Sequence, residues 1–330
     1  MALADLLGWG TKRIGDSAAR LNSGGLLLRY NLTGLRLAQR LALLAAASVL
    51  ATAGFAIGMS KPALAEFEIQ ESQVEKGELE FEYRGAVHWG FPKTEKEDAG
   101  DGEEGGALEE EDEGPLRQSH DFEMQYGITE RWLFSTTLTA DQPLGENFNV
   151  SSVELGLQYE IIQREGNGIG LAFQTEYGFG TRGGDPDEFG FGPILELATG
   201  KLLITFNPVF TDQVGDNETS DGLGFEYGWR AEYDFAKHWG LGVEMFGEIE
   251  DLADAGSFND QNHSLGPTLF YNPGGDDDEA EGEGKKKGGD DDDKATEAPA
   301  MKFSLNVGVQ FGLTDATSDT ALKFQGSLSF

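Results

Sequence analysis

Apolar and polar residues alternate along most of the chain after residue 78. In the stretch Leu223 to Phe235, the odd positions hold Leu, Phe, Tyr, Trp and Ala, and the even ones hold Gly, Glu, Arg and Asp. The same two-residue period returns in Met301 to Leu313 and again in Leu322 to Phe330. Because successive side chains of a β-strand point to opposite faces, this period predicts strands with one apolar and one polar face. We therefore predict an all-β fold.

About twelve segments share this period, an even number that is typical of bacterial barrels whose two chain ends lie on one side of the membrane. Most of them reach the roughly 9 to 11 residues that a tilted strand needs to cross a bilayer. The sequence between them does not predict a helix of useful length. The segments span approximately residues 77–89, 119–128, 131–141, 149–162, 167–179, 187–198, 201–212, 222–235, 238–250, 262–271, 300–313 and 318–330.

Alternation alone is also typical of a soluble β-sandwich. Three features favour a transmembrane antiparallel β-barrel. The polar face is rich in glycine and carboxylates, as in a crowded lumen, and the segments are longer than the five or six residues typical of globular strands. Aromatic residues also gather at the segment ends, as in the girdles at membrane interfaces. Examples are Trp89, Trp132, Phe179, Phe235 and Trp239.

The first 65 residues have the pattern of a secretory signal peptide. Residues 1–40 hold six basic and two acidic residues, and Leu41 to Ile57 is almost entirely apolar. The small residues Ala63 and Ala65 fit a cleavage site, so we predict cleavage after Ala65 and a mature chain of residues 66–330. The long basic region leaves two alternatives open: a single membrane anchor, or a start codon placed too far upstream.

Composition then narrows the function classes. The 330 residues include 24 Lys plus Arg against 59 Asp plus Glu, for a net charge of -35, and no cysteine. Such a charge repels a phosphate backbone, so we expect no nucleic-acid partner. The absence of cysteine excludes disulfides and cysteine-based sites. The mean hydropathy of -0.38 argues against a helical membrane protein, whereas barrel strands meet lipid only at every second residue.

The lengths of the links between segments predict the orientation. Short links at 127–131, 164–168, 198–200 and 236–237 alternate with longer ones. Short turns are typical of the periplasmic side and long loops of the outside, which places both ends of the mature chain in the periplasm. The long link 272–299 is an exception: it is either an insertion or a sign that the strand count slips by one.

The end of the chain and one turn carry a resemblance to a known family. The turn Tyr126 to Trp132 and the closing residues from Phe311 onward are similar to the outer-membrane family labelled MetA-pathway of phenol degradation, an outer-membrane transporter family. The terminal Phe330 also resembles the signature by which outer-membrane barrels are recognised for assembly. The resemblance spans residues 75–330 in short motifs and implies a barrel in the cell outer membrane that passes small compounds. It implies no catalytic residues.

Two acidic insertions depart from that family. Residues 92–117 and 272–300 each contain 11 acids, against three and four basic residues, and few bulky apolar side chains. Such composition predicts solvated, disordered loops. The alternative is weak binding of divalent cations at Asp276 to Glu279 and Asp290 to Asp293, because hard cations prefer clustered oxygens.

The alternation also predicts which charges face the lumen. Carboxylates outnumber bases among them, and crowded carboxylates favour the entry of cations, while the few bases are expected to form ion pairs across the lumen. The predicted lumen-facing charges are Glu80, Glu82, Arg84, Glu123, Glu154, Glu176, Glu196, Glu226, Arg230, Glu232, Glu244, Glu248, Lys302 and Lys323.

Two functions follow from this reading. The first is passive transport of small solutes through a cation-preferring pore, with membrane lipid and the barrel-assembly machinery as partners and without a cofactor or metal. The second is a non-conducting structural or surface-interaction barrel, because twelve strands lie between the filled and the water-filled size classes. We expect no enzyme activity: Ser119–His120 and His263–Ser264 are sequence neighbours whose side chains point to opposite faces of a strand.

Overall fold

The architecture comes from a computed structural model that describes residues 67–91, 115–181, 185–215, 218, 222–273 and 301–330. Contacts divide the chain into residues 1–52 and 53–330, and all the described residues belong to the second unit. The predicted signal peptide and most of both acidic insertions lie outside the described residues. Both predicted cation-binding stretches also lie outside them.

Twelve β-strands account for most of the described residues, as the two-residue period predicts. Their ends agree with the predicted ones to within three residues. The strands are β1 Leu79–Trp89, β2 Leu116–Gly127, β3 Trp132–Pro143, β4 Asn149–Ile162, β5 Gly168–Gly180, β6 Asp187–Thr199, β7 Leu202–Val214, β8 Gly224–Ala236, β9 Trp239–Ile249, β10 Asn262–Tyr271, β11 Lys302–Gly312 and β12 Thr320–Ser329.

The strands form one closed barrel. Each strand pairs antiparallel with its sequence neighbours, and β1 closes the ring against β12. The first and last strands join at their ends, where Leu79 and Phe330 exchange two backbone hydrogen bonds of 2.9 and 3.0 Å. Closure leaves no strand edge without a partner, which is the condition for spanning a membrane with strands. The predicted antiparallel barrel of twelve strands is confirmed.

The two faces of each strand meet different surroundings. On β4, Leu155 and Leu157 are exposed on the outside, whereas the alternating Glu154 and Gln158 are only 5% and 4% exposed. A soluble sandwich requires the reverse, with apolar side chains buried between two layers. The aromatic residues at the strand ends are exposed on the outer surface too, for example Trp89 and Trp239. The outer surface is therefore an apolar band with aromatic borders.

The links alternate between a short-turn end and a long-loop end of the barrel, as predicted. The first strand begins and the last strand ends at the short-turn end. The strand count does not slip at the exceptional link between β10 and β11, because β10 keeps one constant register with β9 and one with β11; this leaves the alternative of an insertion. A correction concerns the loop predicted over 92–117: its last two residues, Leu116 and Arg117, belong to β2.

Helical structure is minor among the described residues. A single 3-10 turn, Phe258–Asp260, lies in the link between β9 and β10. In the part of the chain that the structure describes, no helix has the length and apolar character needed to span a bilayer.

Candidate functional site

The candidate site is the barrel interior, where the predicted lumen-facing charges are buried to different degrees. Eight of them are buried: Arg84, Glu123, Glu154, Glu196, Arg230, Glu232, Glu244 and Lys323. Five are half-buried: Glu80, Glu82, Glu176, Glu226 and Lys302. Glu248 is exposed near the long-loop end.

Arg84 is the centre of the most crowded charge cluster. Its Nη1 lies 2.6 Å from Glu82 Oε1 and 2.6 Å from Glu123 Oε2, both on the wall. Its Nη2 lies 3.1 Å from Glu68 Oε2. Asp121 Oδ2 is 3.8 Å from its Nε. One guanidinium thus lies within 3.8 Å of four carboxylates, so the formal charge of this region is negative.

A second ion pair joins two non-adjacent strands inside the barrel. Lys323 on β12 places its Nζ 2.6 Å from Glu244 Oε2 on β9, and the two strands are separated on the ring by β10 and β11. Both side chains are at most 4% exposed. Thr268 Oγ1 donates a further hydrogen bond of 2.5 Å to the same Glu244 oxygen. The ammonium of Lys323 also lies 5.1 Å from the centre of the Phe246 ring. This pair links two parts of the wall that are three strand positions apart on the ring of twelve.

Carboxylates gather between the Arg84 cluster and the long-loop end. Glu226 and Glu248 lie directly opposite each other in the β8–β9 ladder. The electrostatic neighbours of Glu226 are four other carboxylates, Glu248, Glu188, Glu176 and Glu154. Glycine at position 178 leaves room for the side chain of Glu154 to lean across β5. We call these five residues the carboxylate belt; Glu188 is its one member that is absent from the predicted site residues.

An acidic cavity lies at the long-loop mouth, next to the belt. It encloses about 270 Å³ and is bordered by residues 248–251, 254–256 and 260–262. Five of these residues are acidic. At its rim, the backbone N–H of Ser257 donates a 2.7 Å hydrogen bond to Asp260. The contacts with Ser257 lower the pKa of Asp260, which keeps this part of the mouth anionic.

The interior also holds a piece of chain that the sequence does not predict there. Residues 67–76, which we call the luminal strap, precede β1 and run inside the barrel. Phe67 stacks on His88, with ring centres 5.7 Å apart, near the long-loop end of β1. Gly77 donates a 2.7 Å hydrogen bond to Gly127 at the short-turn end. The strap therefore extends from the short-turn end to the level of His88.

Polar wall residues of β4, β6 and β7 hold the backbone of the strap. Asn207 on β7 accepts a 2.6 Å hydrogen bond from the Gln70 backbone N–H and donates one of 3.2 Å to the Gln70 carbonyl. Glu196 on β6 accepts a 2.9 Å hydrogen bond from the Ser72 N–H. Gln158 on β4 donates one of 3.0 Å to the Glu71 carbonyl. These contacts satisfy backbone groups of the strap that would otherwise be buried unpaired.

Two ion pairs tie the base of the strap to the short-turn end. Lys302 Nζ lies 3.0 Å from Glu75, and Lys76 Nζ lies 2.7 Å from Glu130 in the β2–β3 turn. The hydrogen bond and charge of Glu130 raise the pKa of Lys76, and Lys76 lowers the pKa of Glu130. Both partners of the second pair are solvent-exposed, so it positions the strap more than it stabilises it.

Sequence reasoning missed the strap because its pattern is weak. Phe67, Ile69 and Val74 are apolar, but they do not keep one period over the ten residues. The contacts that place the strap come from residues far away in sequence, such as Asn207 and Arg230. One signal was present in the sequence: glycines at inward positions 127, 170 and 228 leave the wall bare where the strap passes.

Three ring nitrogens of the histidines in the two serine–histidine pairs lie against residues other than the neighbouring serines. His120 Nδ1 lies 2.7 Å from the hydroxyl of Tyr83. The ring nitrogens of His263 lie 3.0 Å from Tyr227 and 2.9 Å from Gln261. Among the described residues, no group of three or more histidines and carboxylates has the geometry to hold a metal ion.

Comparisons with solved structures find porins at low similarity. No family model and no curated protein matches the chain. A KdgM porin in complex with disordered oligogalacturonate shares 8% identity at a TM-score of 0.42, covering 76% of this chain and 98% of that one. A NanC porin shares 10% identity at a TM-score of 0.41, with the same coverage. The Acinetobacter baumannii outer membrane protein Omp33 shares 8% identity at a TM-score of 0.34, covering 78% and 99%.

Similarities of this size carry no information on the solute or on the roles of residues. The label MetA-pathway of phenol degradation is not confirmed, since no family model matches.

Proposed function

We propose that this protein is an outer-membrane channel for the passive passage of small solutes and that its lumen prefers cations. The observation that supports this proposal most directly is the carboxylate belt. Glu154 and Glu188 are only 5% and 8% exposed, and the electrostatic neighbours of Glu188 are again carboxylates.

The buried bases do not offset the belt, because other carboxylates already engage them. Arg84 is paired with Glu82 and Glu123, and Lys323 is paired with Glu244. A confined space with excess negative charge focuses the field and raises the local concentration of cations. Rings of Asp and Glu are the usual selectivity device of cation channels.

Reversal potentials of refolded protein in planar bilayers test the cation preference. Under a KCl gradient, the wild type should show a reversal potential on the cation-selective side. The variant Glu188→Gln with Glu226→Gln should shift it toward zero, because two belt charges are removed. Glu146→Gln, an exposed residue of the β3–β4 link, is the matched control and should leave it unchanged. Equal reversal potentials in wild type and belt variant would place the belt outside the permeation path.

A non-conducting structural barrel is the second candidate, and the luminal strap favours it. The strap contacts β4, β6 and β7 on one side of the ring and β1 on the other. A permanently held strap obstructs the passage of solutes. Silence of the wild type and of a strap-deleted variant over many bilayer insertions would favour this second function.

The remaining proposals concern biogenesis. Signal cleavage after Ala65 leaves Phe67 close to the new N-terminus, so the free end of the mature chain starts inside the barrel. The assembly machinery is proposed to recognise the last strand through Phe330, whose backbone pairs with Leu79.

A further inference from the structure

The wall that surrounds the luminal strap has the features of a peptide-binding site. Asn207, which is 4% exposed, pairs with both backbone groups of Gln70 through its side-chain amide. An amide that donates and accepts at the same residue recognises an extended peptide backbone irrespective of its side chain. Gln158 and Glu196 each make one backbone hydrogen bond to the next two residues of the strap: Gln158 donates to the Glu71 carbonyl, and Glu196 accepts from the Ser72 N–H.

Bare positions on the wall make room for the strap backbone. A Cβ atom at position 228 would lie 2.8 Å from the carbonyl oxygen of Glu68 and 3.1 Å from Ile69 Cγ1. Cβ atoms at positions 170 and 127 would collide with Ser72 and with the Glu75 carbonyl. Inward glycines therefore coincide with three separate points along the strap, as expected where another backbone approaches closely.

Two arginines add a preference for acidic side chains. Arg84 lies 3.1 Å from Glu68 Oε2, and Arg230 lies 3.1 Å from Glu71 Oε1. The Arg84 pair is the more buried one, since Glu71 is 57% exposed. The spacing of three residues between Glu68 and Glu71 places their carboxylates at two different levels of the lumen.

The strap also has a route out of this site. Gly77, at its base, has a φ of +82°, and no atom lies within 4 Å of its missing Cβ. A residue in this conformation marks a turn between the strap and β1. With cleavage after Ala65, the N-terminal end of the strap is free. The strap can then be withdrawn by a backbone rotation near Gly77 alone.

We propose that the barrel wall is a binding site for an extended acidic peptide, that residues 67–76 are its intramolecular ligand, and that the occupied site closes the channel. Opening then requires the strap to leave. This inference rests on the proposed channel function for its effect on conduction, whereas the binding of the peptide is independent of it.

A disulfide lock tests closure. The 3.1 Å between the Cβ position of residue 228 and Ile69 Cγ1 brings the two sulfurs of an Ile69→Cys, Gly228→Cys variant within reach of the roughly 2.05 Å disulfide bond. The chain has no native cysteine, so no other pair forms. The Glu68 carbonyl must move by a few tenths of an ångström, and the single variant Gly228→Cys controls for that movement.

The oxidised double variant should be silent in planar bilayers. The reduced double variant and the single variant should open with the frequency of the wild type. An oxidised form that conducts as well as a conducting reduced form would show that the strap does not obstruct the pore and would overturn the closure. Heat-modifiable gel migration confirms that each variant is folded.

Binding in trans tests the site itself. A barrel lacking residues 67–76, refolded in vesicles, is titrated with a fluorescently labelled synthetic peptide of those residues. The peptide should bind, and a peptide of the same composition in scrambled order should bind at least about tenfold more weakly, because its carboxylates no longer lie opposite Arg84 and Arg230.

The wall variant Asn207→Ala should weaken binding of the native-order peptide at least about tenfold, since both backbone groups of Gln70 lose their partner. Asn306→Ala is the matched control: Asn306 is also buried in the lumen but donates to Gln325 on the neighbouring strand. Equal binding of the two peptides, or equal loss in the two variants, would overturn the proposed site.

The two proposals fail in different ways. A strap-deleted barrel that binds the peptide but never conducts would refute the channel and leave the binding site supported. A strap-deleted barrel that conducts and neither binds the peptide nor is blocked by it would refute the binding site and leave the channel.

Discussion

The Lys323–Glu244 pair makes a quantitative prediction about stability. Both side chains are at most 4% exposed, and their charged atoms are 2.6 Å apart. Replacing Lys323 by Met leaves a buried carboxylate without its ammonium. Breaking a buried pair in this way costs about 3–5 kcal/mol. Glu244 keeps the hydrogen bond from Thr268, so we expect the low end of that range, about 3 kcal/mol.

The double variant separates the charge from the packing. In Lys323→Met with Glu244→Gln, neither member of the pair carries a charge, so the double change leaves no charge at this site without its partner. Its unfolding free energy should therefore lie within about 1 kcal/mol of the wild type, since replacing both partners of a buried pair is often close to neutral. Glu244→Gln alone should again cost about 3 kcal/mol, because Lys323 is then buried beside Phe246 without a carboxylate.

Urea unfolding of barrels refolded in lipid vesicles, followed by tryptophan fluorescence and run in both directions, measures these differences. Lys76→Met is a matched control, because it removes a lysine from an exposed ion pair with Glu130, and its unfolding midpoint should not change measurably. Losses in the double variant that equal the sum of the two single losses would refute the reasoning, since the two side chains would then act independently.

Further predictions concern the outer surface, the N-terminus and the last strand. Gly247→Ala should destabilise the barrel by about 1–3 kcal/mol, because a Cβ there would collide with Tyr227 and His263. Gly326→Ala is the control and should be nearly neutral, because a Cβ there would have its nearest neighbours at 3.8 Å. Equal unfolding midpoints of the two variants would contradict this prediction. Mass spectrometry of protein from outer-membrane fractions should find Glu66 as the first residue; a chain that retains Met1 would argue for the membrane anchor instead of the signal peptide. Deleting Phe330 should reduce the amount of assembled barrel in those fractions while the protein still refolds in detergent, and unchanged assembly would remove Phe330 as a recognition signal.

Most of the fold could be predicted from the sequence because it rests on a local property. On strands such as β8 and β11, the two-residue period determines which side chains face lipid, and it persists over the whole strand. Each strand pairs with the strands before and after it in the sequence, so the pairing of β1 with β12 is the one pairing between strands that are distant in sequence. The count of twelve is correct even across the long link after β10.

The interior could be predicted only as far as this periodicity reaches. It indicates that Glu244 and Lys323 both face inward, but their contact depends on the width of the barrel and on the depth of each residue. The luminal strap has no periodicity, and its position is determined by distant partners such as Asn207 and Glu196. Its presence changes the functional question from which ions pass to what removes the strap.

The central claim is that the apolar face of every strand meets lipid while the charged face encloses the lumen. A scan of single cysteines with spin labels along β11, from residue 302 to 312, measures this directly in lipid vesicles. Oxygen accessibility should oscillate with a period of two and peak at Phe303, Leu305, Val307 and Phe311, the exposed positions of this strand. Maxima at Asn306, Gly308 and Gln310, or low accessibility throughout, would contradict the claim.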